Sequence, residues 1–179
     1  MDWIYQIFGP GLTQIFSAIR IGVSSLSSLS EQHAVAFCRW LNARFSHEIT
    51  LPTEQQWERA ARGTNGLVYP YSNTFDSSKS NTHETRIGQT NVVGIFPNGA
   101  SPDCVLEMSG NIYSWCLNKY EHEDVTEIDD SGDQRVLRGG SFVNLGSYAR
   151  NTSRLGSLPG VGRMSSFGFR VVRPPQTDT

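Results

Sequence analysis

The chain has 179 residues, of which 37% are hydrophobic and 11% aromatic, and its formal net charge at pH 7 is -2. This length suits one domain with its own core and is short for two. The nearly balanced charge excludes a dominant electrostatic role, so we expect no nucleic-acid partner and no attraction to an anionic membrane.

The N-terminal segment, residues 1–19, is apolar. Its apolar residues recur at three- and four-residue steps, which predicts an amphipathic helix broken near Pro10. The acid at Asp2 and the absence of a cleavage-like site before Arg20 argue against an export signal, and the segment is too short for membrane insertion. We expect it to pack on the domain or on a second copy, leaving a homo-oligomer open. A cytoplasmic or phage-associated location is expected.

Two capping boxes predict two helices. The S-x-x-E box at Ser28 precedes an apolar face with helical spacing and predicts a helix over about 30–45. The T-x-x-Q box at Thr53, with Gly63 as the stop, predicts a shorter helix over about 54–62.

The C-terminal half reads as strands and loops. Alternation in "CVLEMSGNIYSWCLNKY" predicts two short strands around a turn at Gly110 and Asn111, and further strands are expected at about 135–138 and 168–173. Residues 64–98 and the acidic stretch 121–134 are predicted to be long loops. Helices followed by strands define an α+β fold class.

The three cysteines, Cys38, Cys104 and Cys116, lack the close spacing of a metal or redox pair. We expect them to be buried free thiols. The four histidines are scattered and show no metal-binding spacing.

Four motifs in order, "AFCRWLN", "LPTEQQWERAARG", "EMSGNIYSWC" and "RVLRGGSF…GFRVVR", resemble the formylglycine-generating enzyme, or sulfatase-modifying factor, domain. That family is a variant of the C-type lectin fold. The resemblance covers residues 20–173, followed by a tail at 174–179, and implies two helices flanking a twisted antiparallel sheet with much irregular structure.

The resemblance also implies which chemistry to test. Active members of the family bind copper through two cysteines whose positions match Asn144 and Ala149 here, and amide and methyl groups cannot replace the thiolates that Cu(I) needs. We therefore predict no enzyme activity, no catalytic residue and no cofactor. The alternative of a copper oxidoreductase acting on a protein cysteine stays open as the weaker one.

A calcium ion is the single metal that the resemblance leaves open. Its ligands would be Glu107, Gly110 and Ile112, and Ser114 stands where the family has a carboxylate. The loss of a charged ligand weakens a site for a hard cation.

The segment between the RGGS and GFR motifs resembles most closely the variable proteins of diversity-generating retroelements. There, adenine-directed mutation of asparagine codons never yields Lys, Glu, Gln, Trp or Met. Residues 143–167 contain no Lys, Glu, Gln, Trp or Asp, and Met164 alone falls outside the permitted set. The resemblance implies a ligand-binding protein with a diversified surface on residues 142–167.

We expect the partner to be a protein or a surface ligand, contacted by adaptable apolar and small polar side chains. The alternative is an accessory domain in which this segment is an ordinary structural loop and no surface is variable. The candidate ligand-binding residues are Phe142, Val143, Leu145, Ser147, Tyr148, Ser153, Leu155, Ser157, Leu158, Val161 and Met164.

Overall fold

The structure, a computed structural model, describes residues 14–16 (backbone only), 29–44, 48–160 and 164–173. Within these ranges it contains two α-helices, six β-strands and four short 3-10 turns. The helices are α1 (Glu31–Asn42) and α2 (Glu54–Arg62); the strands are β1 (Gln14–Phe16), β2 (Tyr113–Lys119), β3 (Arg135–Arg138), β4 (Arg154–Ser157), β5 (Phe167–Phe169) and β6 (Val171–Arg173).

Helix α1 spans 31–42 where about 30–45 was predicted, and its capping residue lies two positions after the predicted Ser28. The capping residue is Ser30, whose Oγ accepts the His33 N–H at 3.4 Å, while the Ser30 N–H donates to the His33 imidazole at 3.3 Å. Ser28, where the capping box was predicted, lies outside the described residues. The helix ends at Asn42 because its side chain both accepts from and donates to the backbone of Ile49, which turns the chain.

Helix α2 has the predicted bounds, 54–62, and both predicted signals. Thr53 and Gln56 exchange side-chain to backbone hydrogen bonds of 2.9 and 3.1 Å. Gly63 ends the helix at a positive φ of 62°, and a Cβ there would lie 2.9 Å from Pro102.

The main sheet has the strand order β4-β3-β2-β5. Strand β2 pairs antiparallel with β3, at Trp115 and Leu137, but parallel with β5, at Trp115 and Phe169. The sheet is therefore mixed, whereas a purely antiparallel one was expected.

One predicted strand is absent. Residues 104–108 form irregular backbone, because Cys104 and Glu107 take positive φ values of 60° and 57° that break the alternation of a strand. The predicted strand 168–173 is divided at Arg170 into β5 and β6.

Part of the N-terminal segment is a strand rather than the predicted helix. Strand β1 pairs antiparallel with β6, while Thr50 exchanges two backbone hydrogen bonds with Val172 in β6. The backbone groups of β6 are thus shared between two neighbours, and this long-range pairing decides the conformation of residues 14–16. The remainder of 1–19 and the tail 174–179 lie outside the described residues.

The two helices cover opposite faces of the sheet. Trp115, Leu137 and Phe169 belong to the buried cluster that contains the α1 residues, while Cys116 and Val136, their neighbours in sequence, pack in the cluster with Trp57 of α2. This alternation follows from the two-residue period of strands.

Two of the three cysteines are buried as predicted. Cys38 lies on the buried face of α1, where burial raises the pKa of its thiol to about 12, and Cys116 lies on β2. The prediction is wrong for Cys104, which is exposed because it occupies a turn, with its N–H donating to Ser101. Neither described helix is long and apolar enough to cross a bilayer.

Candidate binding surface

The C-terminal segment is fixed at its start by Arg138, the last residue of β3. Its side chain is 1% exposed, pairs with Glu54 at 3.2 Å and also pairs with Glu58. The guanidinium donates to the carbonyls of Asn151 at 2.6 Å and Ser153 at 3.1 Å. A single buried cation therefore joins β3, α2 and the middle of the segment, with its charge compensated.

The two glycines that follow Arg138 let the chain pass through a narrow space. Gly139 and Gly140 have φ values of 97° and 70°, and a Cβ on Gly140 would lie 3.0 Å from the Ala149 backbone. An L side chain is disfavoured at both positions by conformation and by contact. Together with residues 168–170 at the other end, residues 138–141 form what we call the frame.

Asn151 fixes the middle of the segment. It is fully buried, its N–H donates to the Val68 carbonyl at 2.8 Å, and its side-chain amide donates to the Leu67 carbonyl at 3.0 Å. The long loop 64–98 is therefore a support for the segment. Sequence reasoning missed this role because hydrogen bonds between distant loops leave no periodic signal.

Gly146 provides a second contact with that loop. Its N–H donates to Glu84 Oε1 at 2.8 Å, and a Cβ there would lie 2.4 Å from the Phe75 ring. Partial burial opposes ionisation of Glu84, but the hydrogen bond from Gly146 keeps the pKa of this carboxyl below its ordinary value. Position 146 thus has a structural role inside the segment.

Asn144 and Ala149, which the family resemblance matches to the copper cysteines, contribute to structure. The Asn144 Oδ1 accepts the Ser141 hydroxyl at 2.5 Å, and its carbonyl accepts the His83 N–H at 2.9 Å. Ala149 is fully buried, and its carbonyl accepts the Ser109 hydroxyl at 2.9 Å. No cysteine follows Cys116 in the sequence, so this part of the chain offers no thiolate.

Most of the candidate ligand-binding side chains are exposed. Five large apolar ones are between 46% and 56% exposed and Leu155 is 36% exposed, Ser147 is exposed, and Ser153 and Ser157 are half-buried. Leu155 and Ser157 lie on β4, an edge strand of the main sheet in the described part of the chain. The five are Val143, Leu145, Tyr148, Leu158 and Met164.

Phe142 corrects the predicted set. It is only 7% exposed, and its N–H donates to the Asn111 carbonyl at 3.1 Å. Its ring is unavailable to a partner because the chain has not yet left the core at this point. Val161 lies outside the described residues, so its position stays a prediction.

Glu107 is the carboxylate of the candidate calcium position. Its Oε1 accepts the Gly94 N–H at 3.4 Å, and its Oε2 is buried. Burial raises the pKa of Glu107, although the buried guanidinium of Arg170 opposes this shift. Gly110 donates its N–H to Gly139.

These residues do not match the usual needs of a calcium ion. The position offers one carboxylate with a cation already beside it, and no group of three or more His, Cys, Asp or Glu side chains in the described ranges is arranged to hold a metal. Ser114, where a second carboxylate would stand, is buried in β2. The family resemblance leaves calcium binding at Glu107, Gly110 and Ile112 open, and melting experiments with calcium and with EDTA test it.

Two helices on opposite faces of a mixed sheet, with long irregular segments held by a buried arginine, define a C-type-lectin-like α+β domain. A sequence model of the sulfatase-modifying factor enzyme 1-like domain matches residues 27–175. The chain belongs to this family.

Similar proteins include members with and without activity in their names. The chain is 31% identical over 166 residues to the inactive C-alpha-formylglycine-generating enzyme 2 of Bos taurus, covering 82% of this chain and 50% of that protein. It is 28% identical over 174 residues to the formylglycine-generating enzyme of Thermomonospora curvata, covering 82% and 54%. The chain thus spans about half the length of these curated relatives.

A solved structure resembles the chain as well. Treponema denticola variable protein 1 superposes with a TM-score of 0.63 at 26% identity, covering 72% of this chain and 49% of that one. This likeness agrees with the resemblance to variable proteins that the sequence motifs indicated.

Proposed function

We propose that this domain is a non-enzymatic ligand-binding protein whose residues 142–167 present a diversified surface. The observation that carries the proposal is the contrast within one segment. Val143, Leu145 and Tyr148 are at least half exposed, while Asn151 in the same segment is completely buried and hydrogen-bonded. Such an arrangement lets side chains change while the backbone keeps its course.

The composition of the segment supports the proposal independently. Residues 143–167 lack Lys, Glu, Gln, Trp and Asp, although the chain as a whole contains 17 acidic residues. Adenine-directed mutation of asparagine codons cannot produce four of these five residue types. Clustered exposed apolar side chains on a folded domain also mark partner sites.

The loss of the copper ligands supports a binding role over catalysis. Asn144 and Ala149 have structural hydrogen bonds where thiolates would be required. The similarity to a protein named as inactive agrees with this view, and the similarity to active formylglycine-generating enzymes makes the oxidoreductase the alternative to be tested.

The genomic neighbourhood tests the diversified surface. We expect a near-repeat of the DNA that encodes residues 137–172, differing from the gene mainly at adenines and lying beside a reverse-transcriptase gene. If the complete genomic DNA around the gene contains no such repeat, the diversified surface is refuted, and the protein is an accessory domain with an ordinary loop.

An oxygen electrode tests the alternative activity. The protein loaded with copper and mixed with a CxPxR peptide should consume no oxygen above the peptide-only control and should leave the peptide cysteine unchanged by mass spectrometry. Conversion of that cysteine to formylglycine would refute the non-enzymatic assignment.

A further inference from the structure

Strand β4 is the exposed edge of the main sheet. The two outer strands of the order β4-β3-β2-β5 differ, since every residue of β5 is buried whereas those of β4 are half-buried or exposed. Among the described residues, β3 alone pairs with β4. Backbone groups of an antiparallel strand point alternately toward and away from its neighbour. Every second residue of β4 therefore directs its N–H and C=O outward.

This edge is unprotected against further pairing. Within the described ranges, no hydrogen bond from outside the sheet reaches the backbone of β4. The strand contains no Lys, Pro or bulge, which are the usual protections of an edge. Its one charged side chain, Arg154, is occupied by Glu54 at 2.6 Å and Glu123 at 2.8 Å. The outward backbone groups are thus suited to accept another strand.

A row of apolar side chains crosses the sheet and ends at this edge. Phe169 lies opposite Trp115, and Trp115 lies opposite Leu137. Leu137 in turn lies opposite Leu155 of β4. Side chains that are directly opposite share one face of a sheet. The first three are 7%, 0% and 0% exposed, whereas Leu155 is 36% exposed. An added strand would place a side chain beside Leu155 and continue the row.

The backbone of β4 is held from the opposite face. A Cβ on Gly156 would lie 2.5 Å from Gln134 Oε1 and 2.7 Å from the Tyr120 ring, so the strand packs closely there. The Arg154 guanidinium also donates to the Tyr120 carbonyl at 3.3 Å. The position of the edge therefore depends on contacts other than those of the candidate variable side chains at 155 and 157.

We infer that β4 binds an extended segment of a partner protein as an additional strand of the main sheet, with an apolar side chain of that segment beside Leu155. This inference rests on the proposed function, in which residues 142–167 contact the partner. Backbone hydrogen bonds are the same in every variant of the segment and provide affinity, while the side chains at 155 and 157 select the partner's sequence. A strand, unlike a small ligand, both pairs with the outward groups and covers Leu155.

The test uses linear dodecapeptides selected against the wild-type protein from a random phage-displayed library. Their affinities are measured by fluorescence polarisation for wild type, L155S and V143S/L145S/Y148S. The matched control is I128S, at an exposed apolar residue of the acidic loop. Urea unfolding checks that each variant is folded. Each peptide is then synthesised in two N-methylated forms, one methylated at the odd-numbered residues and the other at the even-numbered residues.

We expect L155S to weaken the peptides about fivefold, the upper range for one cross-strand contact, and I128S to change nothing. One N-methylated form should bind about tenfold or more weakly and the other should keep its affinity, because only alternate N–H groups of an added strand face β4. Amide hydrogen exchange measured by NMR should show that the bound peptide protects alternate amides of β4 and leaves those of β5 unchanged.

Three results would overturn the inference. A selection without any peptide that L155S weakens, or peptides that tolerate both N-methylated forms, refutes the edge pairing, and the proposed function survives if V143S/L145S/Y148S weakens these peptides. Peptides that bind wild type, L155S and V143S/L145S/Y148S equally well would contradict the proposed function itself. Dimerisation of the wild type that protects the β4 amides, measured by analytical ultracentrifugation and hydrogen exchange, would identify a second copy as the occupant.

Discussion

The contrast between a fixed frame and a replaceable surface predicts that substitutions in the surface lower the free energy of unfolding much less than a substitution in the frame. In V143S/L145S/Y148S, three side chains that are 50–56% exposed lose their apolar groups. Exposed substitutions away from structural features change the free energy of unfolding by about 0.5 kcal/mol each, so the triple variant should lose at most about 1.5 kcal/mol.

Arg138→Met acts on the frame. The substitution removes a buried cation from Glu54 and Glu58 and leaves the carbonyls of Asn151 and Ser153 without a donor. Breaking a buried ion pair costs about 3–5 kcal/mol. Because Arg154 still pairs with Glu54 at 2.6 Å, we expect the lower end of that range, about 3 kcal/mol.

Urea unfolding followed by the fluorescence of the buried Trp57 and Trp115 measures both effects. With an m value of about 2 kcal/mol/M, Arg138→Met should lower the midpoint by about 1.5 M and the triple variant by about 0.7 M or less. A triple variant as unstable as Arg138→Met would show that the exposed side chains are needed for folding and would refute the separation of frame and surface.

Three further predictions concern the cysteines and Glu107. The native protein should present one thiol, Cys104, to Ellman's reagent and three after unfolding in urea, because Cys38 and Cys116 are buried; two or more rapidly reacting thiols in the native state would contradict this packing. Burial raises the pKa of Glu107 in the folded state. Lowering the pH from 7 toward the pKa of the unfolded chain, about 4.3, should therefore increase the free energy of unfolding more in wild type than in Glu107→Gln. A difference in free energy of unfolding between the two proteins that stays constant with pH would contradict the raised pKa. The melting temperature should be the same in 1 mM calcium as in EDTA, because one carboxylate beside Arg170 makes a poor calcium site. A rise of several degrees in calcium that Glu107→Gln abolishes would establish calcium binding.

Local signals made the helices predictable. The reciprocal hydrogen bonds of Thr53 and Gln56 and the stop at Gly63 are contained within a few residues, and α2 has the predicted bounds. At α1 the predicted cap Ser28 and the observed cap Ser30 are two residues apart, and the hydrogen bonds of Ser30 with His33, which carries no sequence signal for capping, were not predictable.

Long-range contacts explain what the sequence could not predict. The parallel pairing of β2 with β5 and the pairing of β1 with β6 join residues that are distant in the chain. Phe142 and Val143 are adjacent and both apolar, yet one is 7% and the other 55% exposed. That difference depends on where Asn111 holds the backbone, which no period in the sequence encodes.

The central claim is that side chains vary on a constant frame, and amplicon sequencing of the gene across a population of the source organism measures this directly. We predict adenine-derived substitutions concentrated in the codons of the exposed positions, with constant codons for residues 138–141, Gly146, Asn151 and residues 168–170. The exposed positions are 143, 145, 147, 148, 155, 158 and 164. Substitutions no more frequent there than in the rest of the gene, or spread evenly onto the frame, would contradict the claim.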